Sequence, residues 1–194
     1  MKKIVVFDFD GTLTTKDTFV AFIRYACGTR AFLFGFLQYA PLLVLMKLHL
    51  YPNYKAKEKV FSYFFKGMSL DTFDSLCQDF ARDRQHLLRP QGIQTLQQAQ
   101  AEDSDVLIVS ASIDNWVQPF FPATKVLGTQ IEVKDGHLTG RFLSKNCYGQ
   151  EKVNQLMEVE PERNEYTLHA YGDSRGDKEM IDFADKGTYV QNSE

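Results

Sequence analysis

Four consecutive apolar residues, Ile4-Val5-Val6-Phe7, predict a short strand buried on both faces. Asp8 and Asp10 alternate with Phe9 where that strand should end, and Gly11 frees the backbone to turn. Both carboxylates can then lean over the strand's C-terminal edge, although an Asp-Gly turn with a solvated acid beside it reads the same way. The pattern next becomes helical. Phe19, Phe22, Ile23 and Ala26 recur at helical spacing, with Asp17 or Thr18 as the cap. From Ala31 to Leu50 the apolar density nears that of a membrane span, interrupted by Gln38, Pro41, Lys47 and His49. Pro41 predicts two helices of about ten residues each, meeting at a kink and each too short to span. They form either a buried helical hairpin or a surface that dips into lipid.

Lys55, Lys57, Lys59 and Lys66 alternate with aromatics between Tyr51 and Gly67. They are the solvated face of an amphipathic helix, or a lure for an anionic substrate or lipid head groups. Ser69 should cap a helix whose stripe is Leu70, Phe73, Leu76, Cys77, Phe80 and Ala81, and Pro90 should open another. Val106 to Val109 is a second buried strand, followed by Ser110-Ala111-Ser112. Residues 126–142 look extended, with Asp135-Gly136 as a hairpin turn. Gly149 opens a helix carrying Lys152. Tyr166 to Tyr171 is a further strand, ending in Gly172-Asp173-Ser174-Arg175-Gly176-Asp177, and a short helix and the strand Thr188-Tyr189-Val190 follow. Strands alternating with helices imply an α/β fold, a Rossmann-like, mostly parallel sheet core. Residues 15–90 contain no strand pattern and are expected to be an all-helical cap, with 1–14 and 91–194 forming the core domain.

Composition narrows the class. The chain has 194 residues, 44% of them hydrophobic, including 16 Phe and 9 Tyr, enough for a packed core. A net charge of −3 offers no basic field for nucleic acid. Cys27, Cys77 and Cys147 are widely spaced with no Cys-x-x-Cys pair, which fits a reducing compartment. The apolar run after Lys2-Lys3 stops at Asp8, too soon for a signal peptide, so a cytoplasmic location is expected, with peripheral contact at the inner membrane face as the alternative.

In a parallel sheet the strand ends converge on one edge, which gathers Asp8, Asp10, Ser110, Asp173 and Asp177, with Lys152 at a helix start. Crowded carboxylates repel one another, and a hard divalent cation relieves this. Oxygen ligands without clustered His or Cys point to Mg²⁺. Lys152 and the Ser110 hydroxyl can hold an anion against that cation, which makes a phosphoryl-transfer site with Asp8 as a carboxylate nucleophile. If Asp8 attacks phosphorus, Asp10 can protonate the departing alcohol and then activate water. Gly11, Ala111 and Arg24 are further candidates for substrate contact. A calcium loop fails, because Leu13 and Phe19 stand where glycine and glutamate are needed. No G-x-x-x-x-G-K-[ST] supports an ATP-binding loop.

The set Asp8-Phe-Asp-Gly-Thr12, Ser110 after an apolar strand, Lys152 and Gly172-Asp-x-x-x-Asp177 resembles the four motifs of the haloacid dehalogenase-like superfamily, in order. The helical insertion after the first motif resembles the C1 cap of its phosphoserine phosphatase-like branch, subfamily IB. The resemblance implies a Mg²⁺-dependent phosphatase acting on a small phosphorylated substrate through an aspartyl-phosphate. Asp8 would be the nucleophile and Asp10 the acid/base, its backbone carbonyl also touching the metal. Ser110 and Lys152 would hold the phosphoryl group, Asp173 would bind Mg²⁺, and Asp177 would support or share that role. Phe19-x-x-Phe22-x-Arg24-Tyr25, the Pro-interrupted run and Tyr148-Gly-x-Glu-Lys-Val153 are similar to a bacterial subgroup that includes a phosphatidylglycerophosphate phosphatase. That similarity implies a phospholipid head group as the alternative substrate and membrane contact through 31–50. A non-catalytic phospholigand-binding adaptor and a phosphotransferase are the remaining expectations.

Overall fold

The first apolar run is strand β1 (Lys2–Phe7), and its surroundings explain why it is apolar throughout. In the computed structural model, which describes residues 2–48 and 50–190, Val5 and Phe7 enter one buried cluster while Ile4 and Val6 enter another. Met1, His49 of the apolar run and residues 191–194 lie outside the described residues. Helices α1 (Thr18–Lys47), α2 (Asn53–Phe65), α3 (Leu70–Asp83) and α4 (Pro90–Ala101) come next. Strand β2 (Asp105–Ile113), the short helix α5 (Asp114–Val117) and strand β3 (Lys125–Thr129) follow. A hairpin of β4 (Ile131–Lys134) and β5 (His137–Phe142) precedes α6 (Gln150–Val159), β6 (Tyr166–Gly172), α7 (Lys178–Phe183) and β7 (Lys186–Tyr189).

The five-stranded sheet has the order β3-β2-β1-β6-β7, and every neighbouring pair is parallel. The chain builds outward from β1 to β2 and β3, then returns to place β6 on the other flank. The order therefore reverses between β1 and β6, the crevice where open α/β sheets bind ligands. The hairpin turns at Asp135 and Gly136, both with positive φ, as a two-residue turn of that handedness requires.

The expected pair of short helices meeting at Pro41 is not found. Helix α1 continues through Pro41, and its break lies at Gly28 (φ 77°, ψ 161°), a conformation open to glycine and costly for other residues. Pro41 stands on the exposed side of the helix, where the bend from a missing N–H bond meets no packed neighbour. The run is not a buried hairpin either, because Leu33, Phe34 and Leu37 are all exposed. By length and composition α1 is apolar enough to cross a bilayer.

The first turns of α1 behave differently. Asp17 caps them, accepting from the N–H of Phe19 (2.9 Å) and Val20 (3.3 Å). Phe22 stacks on Trp116 with centroids 4.8 Å apart, and it meets the edges of Phe73 and Phe80 at 5.5 and 5.2 Å. Phe9 reaches the same cluster through Phe120. The helical segment and one sheet face thus share a single aromatic core. Phe22→Ala should therefore cost about 3–5 kcal/mol of global stability. Urea denaturation followed by Trp116 fluorescence would read this as one lowered transition, with the helical segment and sheet unfolding together.

Candidate active site

Strand β1 delivers Asp8 to the sheet edge with its N–H bonded to the Tyr171 carbonyl of β6 at 2.8 Å. Gly11 then turns the chain at φ +83°, and any Cβ there would strike the Asp173 carboxylate. Glycine is required twice over, for its backbone conformation and for this close approach. Asp8 is buried, and its second oxygen accepts from the Thr12 hydroxyl at 3.2 Å.

Lys152, near the start of α6, is the central cation. Its Nζ donates to Asp8 Oδ1 at 2.6 Å, to Asp177 Oδ1 at 2.5 Å and to the Val109 carbonyl at 2.8 Å. Burial alone would push this ammonium's pKa down, but Asp8 and Asp177 outweigh it and hold the group above the ordinary lysine range. Burial pushes the Asp8 carboxyl up, to about 7; Lys152 opposes this while Asp177 and Asp10 add to it. Asp177 has a second task, since its Oδ2 accepts from the N–H groups of Asp173 and Ser174 and from the Ser174 hydroxyl. Asp177 thus holds the lysine with one oxygen and the turn at Asp173 and Ser174 with the other.

Asp10 points another way. It accepts from the Thr18 N–H at 2.7 Å and from the Ser112 hydroxyl, while Thr18 Oγ1 also meets Ser112 Oγ and accepts from the Trp116 indole N–H. Burial raises the Asp10 pKa and Asp17 adds to the effect, against the hydrogen bonds from Ser112 and Thr18. Two carboxyls two residues apart therefore occupy different surroundings, one against an ammonium and one against hydroxyl and amide donors.

Ser110 does not follow β2 but lies inside it, where the register with β3 slips between Val109 and Ile113. Its hydroxyl oxygen accepts from the Ser112 N–H at 3.0 Å. The Ala111 carbonyl accepts from Thr129 and from Lys57 Nζ, each at 3.0 Å. Lys57 was expected on a solvated face or as a lure for an anionic substrate or lipid head groups. It is turned inward from α2, over the Phe19 ring at 5.1 Å. Its pKa is lowered by burial, against the pull of Asp10, Asp17 and Asp8. The signal was in the spacing, for Lys57 shares a helical face with the buried Val60 and Phe61 whereas Lys55 and Lys59 do not. Thr18 and Lys57 are the residues that sequence reasoning missed. Arg24 is not brought to the strand ends; it is exposed and bonded to Thr29 on α1.

Carboxylate oxygens of Asp8, Asp173 and Asp177 lie within 4.8 Å of one another. The donors are all hard oxygens, and one ammonium stands against three acids, so a hard divalent cation fits this set.

Over residues 5–182 the chain matches the haloacid dehalogenase-like hydrolase family. It is 35% identical to protein CicA of Caulobacter vibrioides over 193 residues, covering 96% of this chain and 85% of that one. A crystal structure of a protein of unknown function from Bordetella pertussis Tohama I superposes with a TM-score of 0.82 at 18% identity, covering 94% of this chain and 87% of that one. A phosphoserine phosphatase solved as a phospho-aspartyl intermediate analogue gives a TM-score of 0.59 at 19% identity, covering 94% and 83%. At these identities the two structures share the fold. The family match over nearly the whole chain, joined to the strand-end acids and their lysine, settles the family: the chain belongs to the haloacid dehalogenase-like hydrolases.

Proposed function

We propose that the protein hydrolyses a phosphate monoester through an aspartyl-phosphate on Asp8. The observation that carries this reading is the different treatment of Asp8 and Asp10. Asp8 faces an ammonium that favours its charged, nucleophilic form. Asp10 has no ammonium bonded to its carboxyl; burial and Asp17 raise its pKa against the hydrogen bonds from Ser112 and Thr18, which suits a group that must first give a proton, whereas burial raises Asp8 too but Lys152 pulls it back. In the first step an Asp8 oxygen bonds to phosphorus as the phosphorus–alcohol bond breaks, and Asp10 gives its proton to the departing alkoxide. In the second, Asp10 takes a proton from water. The water oxygen bonds to phosphorus, the bond to Asp8 breaks, and inorganic phosphate leaves. Asp10 also argues against a dehalogenase, which generates no alkoxide to protonate.

Lys152 and the Ser110 hydroxyl are assigned to the phosphoryl oxygens, with the backbone at Gly11 and Ala111 close by. Asp8, Asp173 and Asp177, with the Asp10 backbone carbonyl, would hold Mg²⁺, which supplies positive charge to the phosphoryl oxygens and lessens their repulsion of Asp8. The same residues without turnover would make a phospholigand-binding adaptor, and the intact acid/base pair speaks against that.

Purified protein should release phosphate from p-nitrophenyl phosphate only with Mg²⁺ present, and EDTA should abolish this reversibly. Asp8→Asn should lower kcat by about 10⁴-fold or more, and Asp10→Asn by about 10²–10⁴-fold. Turnover by Asp8→Asn near the wild-type rate would eliminate Asp8 as nucleophile, and tight phosphate-analogue binding without any turnover would favour the adaptor.

Lys152→Met should cost both activity and about 3–5 kcal/mol of stability, because it leaves Asp8 and Asp177 buried without their counter-charge. Denaturation with and without Mg²⁺ checks this, and added Mg²⁺ should recover part of the loss.

A further inference from the structure

The outer half of α1, beyond the break at Gly28, has no role in the chemistry above. Leu33, Phe34, Leu37, Val44, Leu45 and Leu48 recur at helical spacing on one face, with Phe34 67% and Leu37 74% exposed. The opposite face is apolar too, but it is covered. Gly35 is buried against Tyr63 and Phe64 of α2, the Phe36 and Phe64 rings lie 6.4 Å apart, and Tyr39 meets Tyr63 at 5.5 Å. A helix apolar all round has no water-facing side, so the exposed face calls for an apolar medium.

Charge says which medium. From Thr18 to Ala56 the chain holds no Asp or Glu, yet it carries Arg24, Arg30, Lys47 and Lys55, although the whole protein is net negative at −3. A second copy on this face would bring like charges together, whereas anionic lipid head groups would bring opposite ones.

A cavity of about 430 Å³ lies between this helix and the strand ends, walled mainly by Phe19, Val20, Phe36, Leu43, Met46 and Val60 and reaching Asp17, Lys57 and Ala111 at its inner end. Met46, Lys47, Asn53, Asn146 and Tyr148 also line an adjoining groove of about 1040 Å³, which adds Arg175 and Lys145, the latter 3.9 Å from Glu151, so that three cations there face one acid. An apolar chamber beside the phosphoryl-handling residues thus adjoins a cationic outlet next to the exposed helix.

We infer that the segment from Leu33 to Leu48, the outer part of α1 and its C-cap, lies in the surface of an anionic phospholipid bilayer, and that the substrate is an amphiphilic phosphate monoester whose leaving alcohol carries apolar chains. The substrate half rests on the phosphatase reading; the docking half does not. The helix lies in the plane of the surface and does not cross it. Its first turns are fixed in the core by Phe22 and Ile23, and α2 returns along its inner face.

The test uses the full chain, flotation with vesicles, and two substrates. Wild-type protein should float with equimolar phosphatidylcholine/phosphatidylglycerol vesicles, less so as salt rises, and hardly with phosphatidylcholine alone. A variant carrying Leu33→Glu, Leu37→Glu and Leu45→Glu, shown to be folded by circular dichroism, should lose vesicle binding by about tenfold or more. It should turn over p-nitrophenyl phosphate as the wild type does, while hydrolysing dioleoyl phosphatidate in the same vesicles at least about tenfold more slowly. Wild-type protein left unbound by anionic vesicles overturns the docking. A dimer dissociated by the triple substitution, without vesicle binding, gives the face to a second copy and does the same. Hydrolysis of p-nitrophenyl phosphate with phosphatidate untouched in bound vesicles overturns the substrate class alone. Failure on both esters overturns it together with the phosphatase reading, while flotation still decides the docking.

Discussion

One buried ammonium ties three pieces of chain together. Lys152 has three N–H donors, and all three have acceptors: Asp8 after β1, the Val109 carbonyl in β2, and Asp177 after β6. Two of those acceptors are carboxylates that would repel each other and resist burial alone. The lysine resolves both problems in one place, and its stem approaches from α6 beneath the sheet edge. The crevice between β1 and β6, where the strand order reverses, is thereby lined with charge held at fixed positions rather than left to solvent. Preorganised charge of this kind is what phosphoryl transfer uses, because there is little reorganisation left to perform when substrate arrives.

A second network joins the chemistry to the helical segment. Asp10 accepts from the Thr18 N–H, and Thr18 in turn links Ser112 and Trp116. Trp116 stacks on Phe22, one turn further along α1. The carboxyl proposed to handle the proton is thus bonded to the first turn of α1, and the aromatic core continues the same linkage. A displacement of these turns cannot leave Asp10 where it is. The helical segment is a wall of the site, anchored through polar and apolar contacts at once.

Much of this was legible because buried strands have few ways to be written. Ile4 to Phe7 had to be covered on both faces, which placed Asp8 at an edge, and the alternation of buried Tyr166, Leu168 and Ala170 in the next strand led to Asp173 at the same edge. The Asp17 and Ser69 caps followed from side chains that satisfy local N–H groups and need no tertiary information. What was not legible depended on the third dimension. Pro41 is a strong local signal for a bend, yet a proline on the open side of a helix is tolerated, and the break fell at Gly28, whose consequence is only a possibility until packing selects it. Ser110 was expected after its strand and lies within it, because the bulge is a property of the β2–β3 pair and not of either strand alone. The exposure of Leu33 to Leu48 was equally hidden, since an apolar run looks the same whether protein or lipid covers it.

Lys57 shows how a single helical position can alter the chemistry beyond it. Four lysines in one segment read as one solvated face, but rotation by one residue separates Lys57 from the others and turns it toward Asp10, Asp17 and the Ala111 carbonyl. Burial and Asp17 raise the Asp10 pKa, whereas Lys57 pulls it back down. The readiness of Asp10 to hold or release a proton is therefore a balance to which the helical segment contributes on both sides. Asp17 at the start of α1 favours the protonated form, and Lys57 on α2 favours the ionised one. For an acid proposed to donate in one step and accept in the next, the raised pKa favours the protonated starting form, and Lys57 opposes that bias without removing it.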